Sequence, residues 1–491
     1  MFTFAVFICL IPLGFCKPLQ TRDSQSLFNV TCHHIARVIS SASAVYYPGS
    51  PQFISDIEHW APSSTQVSAC SVEPGTVKDV AAIVNVLARS TTPFSIQSGG
   101  HATSVGFSST LGVAINLVRL NSMAYDPTSR TVTIGTGQTW SDLFQKLEPL
   151  ELNVAGGRMG GVGVGGLALG GGYSWLSNRH GLTIDTITAL ELVLPNSTVV
   201  HVTPSSAPEL FFGLRGGFNN FGIVTKITMR AYKQGPVWGG VLSFDADKVE
   251  AVNAALAKFS ASNTDPDGNC LFNFFWSNGV LIAGTLQLFY NGPEPPSGLF
   301  SEFLSIPHTS KDLGTRSFLN FTKALSVVNP LKPTHLRVAF SSVSMPHIAV
   351  PVLKDIIQQG QYYSRPGVFS TQPFVSFAVE PFYWKSMVRP RDDAAYPHDV
   401  FVNPLNLFFG WPNATEDAAA SSAIKGAGAN ITQALINNGQ DLTGTVLYPN
   451  YALGDATIES LYGANVPALK ALRSKYDPKG VFLRTGGYKF I

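Results

Sequence analysis

Apolar residues return at Val80, Ile83, Val84 and Leu87, one face of a 3.6-residue period, and they predict a helix behind Thr76. Thr76 is a capping residue with Asp79 three positions on, which marks the helix start. The period then shortens to two. "FSI", "LGVAINL" and "RTVTIGTG" predict strands, and "WSDLFQKLE" predicts the next helix. "TALELVLPNSTVVHV" predicts a hairpin-like pair, and "FGIVTKITMRAY" a further strand. Between these groups lies "RMGGVGVGGLALGGGYSWLS", where glycine interrupts any regular period.

Near Gly235 the pattern changes: glycine runs stop, and amphipathic stretches such as "DKVEAVNAALAKF" alternate with apolar ones such as "GVLIAGTLQLFY" and "FVSFAV". Near Asp441 the pattern of the N-terminal part returns with "GTVLYPNYALGDA", the helix "NVPALKALRSKY" and "DPKGVFLRTGGYKFI". The expected fold class is α+β. One domain spans residues 17–234 and is completed by 441–491; a second, at 235–440, is inserted as an antiparallel sheet covered by helices.

Composition fits a core-rich globular chain, with 45% hydrophobic and 13% charged residues among 491. The net charge of +2, without a basic block, excludes a nucleic-acid stripe. Residues 1–16, "MFTFAVFICLIPLGFC", read as a secretory signal peptide cleaved after Cys16, too short to span a membrane; no other stretch is long and apolar enough to do so. Its removal leaves Cys32, Cys70 and Cys270. In an oxidising compartment Cys32 and Cys70, the closest pair in sequence, form the expected disulfide, with Cys270 the odd, buried thiol. Sequons at Asn29, Asn196, Asn320, Asn413 and Asn430 agree with a secreted glycoprotein.

The glycine run narrows the chemistry. Gly161, Gly163 and Gly166 satisfy G-x-G-x-x-G, with Asp185 about 20 residues on, so a dinucleotide fingerprint is formally present. Gly170, Gly171 and Gly172 argue against the uninterrupted helix it requires, since each interior glycine costs about 1 kcal/mol relative to alanine. The run reads instead as flattened backbone lying along a ligand, its N–H groups turned to phosphates. Upstream, Ser98-Gly99-Gly100-His101 sets an imidazole behind two glycines. No P-loop lysine, H-E-x-x-H, Cys-x-x-Cys or G-x-S-x-G occurs, and the adjacent His33 and His34 diverge on a helix, so no metal site is expected.

Four segments in order, "QSGGHATSVGF", "GGRMGGVGVGGLALGGGYSWLSNRHGLTID", "ELFFGLRGGFNNFGIVTKI" and the terminal "YPNYA…YDPKGVF…GGYKF", resemble the berberine-bridge-enzyme-like flavoproteins of the vanillyl-alcohol-oxidase/PCMH superfamily, over nearly the whole mature chain. The resemblance implies a PCMH-type FAD-binding domain and an inserted substrate domain. It makes His101 the covalent attachment site for the flavin 8α-methyl carbon, with Ser98, Gly99 and Gly100 admitting the pyrophosphate. Gly160, Gly161, Val162, Gly165, Gly166, Gly171, Gly172, Ile223 and Asn450 are the further cofactor-contacting positions it implies. The chain departs from the family at Gln97, often Arg, and at His180, often Tyr. Met159 stands where bicovalent members carry Cys, so one covalent bond is expected. Val162 matches the small residue that accompanies oxygen access, which favours an oxidase.

A proton must leave the substrate as the flavin accepts a hydride. The resemblance points to Tyr451 as base with Tyr448 beside it, and Glu380 in "FAVEPFYW" is the alternative. Phe374, Phe377, Phe382, Tyr383 and Trp384 either line an apolar pocket or pack a core. The expected protein is a monomeric, secreted, O₂-using FAD oxidase of a small organic substrate in secondary metabolism. A carbohydrate oxidase and a catalytically silent flavin-binding homologue remain alternatives.

Overall fold

Thr76 caps the helix expected after it: its hydroxyl accepts the Asp79 N–H, and Val77–Ala88 follows. The structure is a computed structural model and describes residues 20–327, 336–383, 385 and 387–491. The expected leader and Trp384 lie outside the described residues. Val80, Ile83, Val84 and Leu87 enter one core with Phe94, Val113 and Ile115 from a first sheet and Val193 and Ile223 from a second. The first sheet runs Ala44–Tyr46, Cys70–Glu73, Val113–Asn116, Phe94–Gln97, its last three strands parallel. The second is antiparallel: Met123–Asp126, Thr131–Gly135, Ile223–Arg230, Ile187–Val193, Val199–Val202. The predicted hairpin is its Ile187–Val193 and Val199–Val202 pair. Val481 and Phe482, near the C-terminus, return to the same core.

Cys32 and Cys70 form the expected disulfide, joining the first helix, Gln20–Val38, to the first sheet across a 38-residue separation. Closing a loop of that length constrains the unfolded chain by about 4 kcal/mol on the chain-entropy estimate. Cys270 is free and buried.

The third sheet has seven antiparallel strands: Ser310–Arg316, Val237–Phe244, Val280–Tyr290, Gly268–Ser277, Phe374–Val379, Asn403–Trp411, Arg337–Met345. Alternation gives it two unlike faces. Phe272, Phe274, Val375, Phe377, Leu405, Leu407 and Phe409 pack against the helices Val249–Ser262, Val350–Tyr363 and Asp417–Asn437. Leu271, Phe289 and Ala378 face the other way, into the core that holds the glycine run. The mixed α+β architecture is therefore as expected. Among the described residues no helix is long and apolar enough to cross a membrane.

The glycine run differs from its expectation in the middle. Residues Val164–Leu169 close into a six-residue helix, and flattened backbone is confined to either side. Within that turn the Gly165 N–H donates to the Ser98 hydroxyl at 3.1 Å. Gly171 and Gly172, at φ +120° and +85°, then take the left-handed conformations that glycine tolerates and end it.

Candidate active site

Two flat backbones meet at Gly99 and Gly163. A Cβ on Gly99 would strike the backbone of Gly163, and one on Gly163 would strike Gly99, so each glycine exists for the other's approach. That alters the reason expected for Gly99, which is contact between the two segments. Ser98 ties them further, donating to the Thr136 carbonyl at 2.6 Å while accepting from Gly165. Gly100 carries the turn at φ +63° and delivers His101 to its far side. There the imidazole stacks on Trp60, with centroids 4.3 Å apart and planes 15° from parallel, while the Trp60 N–H bonds the Gly100 carbonyl at 2.9 Å. Desolvation pushes the His101 pKa down to about 4, so the ring is neutral at physiological pH.

Residues 156–163 are fastened to the start of the helix Trp140–Leu147. Trp140 N–H bonds Val162 O at 3.0 Å and Ser141 N–H bonds Gly160 O at 2.9 Å. The buried Trp140 ring lies where side chains on Gly156 and Gly157 would stand. Two glycines therefore let the chain hug the indole, and the next residue, Arg158, is carried into the interior.

Arg158 is the centre of a cluster that sequence reasoning missed. Its Nη2 donates to Glu380 Oε2 at 2.8 Å and to Tyr451 Oη at 2.8 Å, and Tyr451 Oη donates to Glu380 Oε1 at 2.9 Å. Glu380 directly follows the strand Phe374–Val379, so the period of two turns it from the helices toward the glycine loops, 1% exposed. Tyr451 closes the turn Tyr448–Tyr451, its N–H bonding the Tyr448 carbonyl at 3.1 Å. Burial raises the pKa of Glu380, and Arg158 offsets part of that rise. Burial also disfavours the Arg158 charge, but Glu380 and Tyr451 outweigh it and hold the guanidinium protonated. Tyr451 is raised well above its ordinary value by burial, so it is a phenol and not a phenolate. Glu380 and Tyr451, weighed as alternatives from sequence, are one unit.

Tyr448 stands apart from that unit. Its hydroxyl accepts from Asn450 Nδ2 at 2.8 Å and from the N–H groups of Gly172 and Tyr173 at 3.1 and 3.4 Å. An oxygen whose lone pairs are so engaged takes no substrate proton. Tyr448 instead fixes the end of the glycine run, and Asn450 fastens it again through the Leu167 carbonyl at 3.1 Å. Ile223 is buried in the core between the first two sheets. Phe377 faces the helices of the third sheet, Phe382 lies 5.6 Å below the Arg158 guanidinium, and Phe374 packs with Trp60, Phe340 and Phe408. His180 stacks on Tyr232 at 3.6 Å.

The arrangement fits FAD. A Cβ on Gly161 or Gly166 would meet nothing within 4 Å, so the backbone there borders open space. Gln97, at the foot of the His101 loop, holds a buried Oε1 acceptor with no partner. A cavity of about 430 Å³ elsewhere, between Phe144, Asn153, Gln234 and Arg316, holds none of the candidate residues.

Comparison with known proteins identifies an FAD-binding domain and a shared fold. The family model for an FAD binding domain matches residues 68–203, which carry His101 and the glycine run. The FAD-dependent monooxygenase drtC of Aspergillus calidoustus is 30% identical over 443 residues, 86% of this chain and 83% of that protein. In fold, the chain is similar to the BBE-like 1 protein of Physcomitrella patens, with a TM-score of 0.77 at 19% identity, over 92% of this chain and 97% of the other. It is also similar to a chitooligosaccharide oxidase, with a TM-score of 0.75 at 21% identity, over 94% and 100% of the two chains. The chain has the fold of the BBE-like and oligosaccharide-oxidase structures, and it belongs to the family of FAD-dependent oxidoreductases that includes the drtC protein.

Proposed function

We propose that the protein is an oxidase that takes a hydride from a C–H bond beside a hydroxyl of a small aromatic substrate, delivers the electrons to O₂ as H₂O₂, and carries its flavin on one covalent bond from His101. The observation that carries this reading is the buried Arg158–Glu380–Tyr451 cluster on the sheet face turned toward the glycine loops. FAD supplies the hydride acceptor when bound, and His101, Gly161, Gly166, Gln97 and Asn450 are the residues that would hold it.

The chain's own residues manage the proton. Tyr451 Oη has one lone pair engaged by Arg158 and its proton committed to Glu380, which leaves a lone pair for a substrate O–H. As the hydride departs, that O–H proton passes to Tyr451 Oη while the Tyr451 proton moves to Glu380 Oε1. A phenol with a pKa this high is a poor base alone, and the relay removes the need for a phenolate. Arg158 keeps both acceptors in place, and Trp175 and Phe382 around its guanidinium exclude water.

Val162, half-buried beside the open backbone of Gly161, supports oxygen reaching the site. The relatives' names divide between monooxygenase and oxidase, so the fate of O₂ is the informative measurement. Aromatic alcohols and saccharides are screened anaerobically for flavin bleaching, and the reduced protein is then exposed to ¹⁸O₂. An oxidase returns one H₂O₂ per turnover and no ¹⁸O in product. Incorporation of ¹⁸O, or a failure of O₂ to reoxidise the flavin, overturns it.

A secreted, monomeric glycoprotein is part of the same reading. It is supported by the disulfide and by Asn196 and Asn413, which sit exposed outside helices, whereas Asn320 and Asn430 lie within them. Mass spectrometry of protein recovered from culture medium, before and after endoglycosidase, should show loss of residues 1–16 and glycan at Asn196 and Asn413. An intact leader on an unglycosylated intracellular protein sinks this part.

A further inference from the structure

The seven-stranded sheet presents rows of side chains to the site, and its register fixes which residues share a row. On the face away from the helices, Phe408 stands opposite Phe340 on one neighbouring strand and Ser376 on the other. One pleat along, Asn406 stands opposite Ser342 and Ala378, Ala378 opposite Asn273, and Asn273 opposite Thr285. The next pleat after Ala378 on its strand is Glu380. Rows so related are about 7 Å apart, and neighbouring strands about 4.8 Å apart. A polar row therefore lies between an aromatic row and the row of the carboxylate.

Protein atoms do not satisfy this row. The Ser342 hydroxyl, on a residue 4% exposed, and the Asn406 Nδ2 beside it have no hydrogen-bond partner. One pleat along the strand on the same face, Ser344 is satisfied, donating to the Val446 carbonyl at 2.6 Å. Buried polar atoms left open in adjacent strands and facing a site are groups that a ligand completes. The Asn406 Nδ2 is a donor and the Ser342 hydroxyl can donate beside it, the row carries no charge, and Ala378 leaves room between the amides. What fits is an uncharged oxygen acceptor on a flat ring, with Phe340, Phe408 and Trp60 flanking it.

We infer that Asn406 and Ser342 form a specificity subsite that binds a carbonyl or phenolic oxygen of a fused-ring aromatic substrate, one pleat from the carbon oxidised at Glu380. This rests on the proposed function and names its substrate class. An aromatic alcohol with a second oxygen at the far end of two fused rings spans the two rows. A single-ring alcohol does not.

Binding tests the subsite apart from turnover. The flavin-loaded protein is titrated with 6-hydroxy-2-naphthaldehyde and with 2-naphthaldehyde, product-like ligands, and Kd is read from the perturbed flavin spectrum. The hydroxylated ligand is expected to bind about ten-fold more tightly, the share of one to two hydrogen bonds. That difference is expected to collapse in Asn406→Leu and, independently, in Ser342→Ala. Equal Kd values in the unaltered protein, a preference that survives both substitutions, or no binding of either aldehyde overturns the inference. Anaerobic bleaching by the two corresponding alcohols then reports on the oxidation itself. A preference in Kd with no bleaching keeps the subsite and removes the proposed reaction.

Discussion

Glu380→Gln is expected to slow substrate-dependent flavin reduction by about 10²- to 10⁴-fold, the range over which a positioned base contributes. The amide keeps the shape of the side chain and its contact with Arg158, but it cannot accept the proton that Tyr451 hands on. The pH dependence separates this from a packing defect. Glu380 must be ionised to work, and burial raises its pKa with Arg158 offsetting only part, so the rate should fall as pH drops through a value above the ordinary 4.5. Glu380→Gln removes that limb; Tyr451→Phe lowers kcat but retains it, since the carboxylate persists. Arg158→Met should shift the limb upward, because the buried carboxylate loses its counter-charge. It should also destabilise the fold by about 3–5 kcal/mol, the cost of leaving one buried charge unpaired. Stopped-flow bleaching from pH 4 to 9 measures all three, and a Glu380→Gln protein within a few-fold of the unaltered rate rejects the relay.

What can be read from sequence divides by range. The helix Val77–Ala88 is legible because its cap and its period are local, and the disulfide because the chain beyond residue 16 holds few cysteines and these two are near neighbours. The glycine run is legible as a ligand-side backbone but not as one that closes a helical turn. The turn is tied to the Ser98 hydroxyl, 67 residues away, a contact no local pattern announces. Arg158 carries one local signal, as the single charged residue in a stretch otherwise glycine and apolar. Its meaning comes from Glu380 and Tyr451, 222 and 293 residues distant. Trp60 carries none, since nothing near it marks a partner for His101. Ser342 and Asn406 read as ordinary polar positions in alternating strands until the register sets them side by side.

His101→Ala is expected to abolish acid-stable yellow colour: the unaltered protein should keep its flavin through acid precipitation, and the variant should release all of it. The structure supplies a physical reason to expect attachment at this residue. A nucleophilic imidazole must be neutral, and desolvation holds His101 at about 4, so the free nitrogen is available throughout the physiological range. Stacking on Trp60 at 4.3 Å fixes the plane in which that nitrogen presents itself. Trp60→Leu should therefore leave the nucleophile but loosen its aim, giving a partly flavinylated protein in which non-covalent FAD is still bound. The same lowered pKa has a consequence for the stability of the flavin-free chain. Between pH 6.5 and about 4 the unfolded chain binds a proton at this position that the folded chain refuses, so folding stability falls as pH drops through that window. Compared between flavin-free proteins, His101→Ala removes this contribution, and the slope of Tm against pH should become shallower; it does not vanish, because His180 is also held at about 4 by burial. Colour retained in the acid precipitate of His101→Ala would place the covalent bond on another residue, whereas colour lost from both proteins would show that FAD is held by the glycine loops alone.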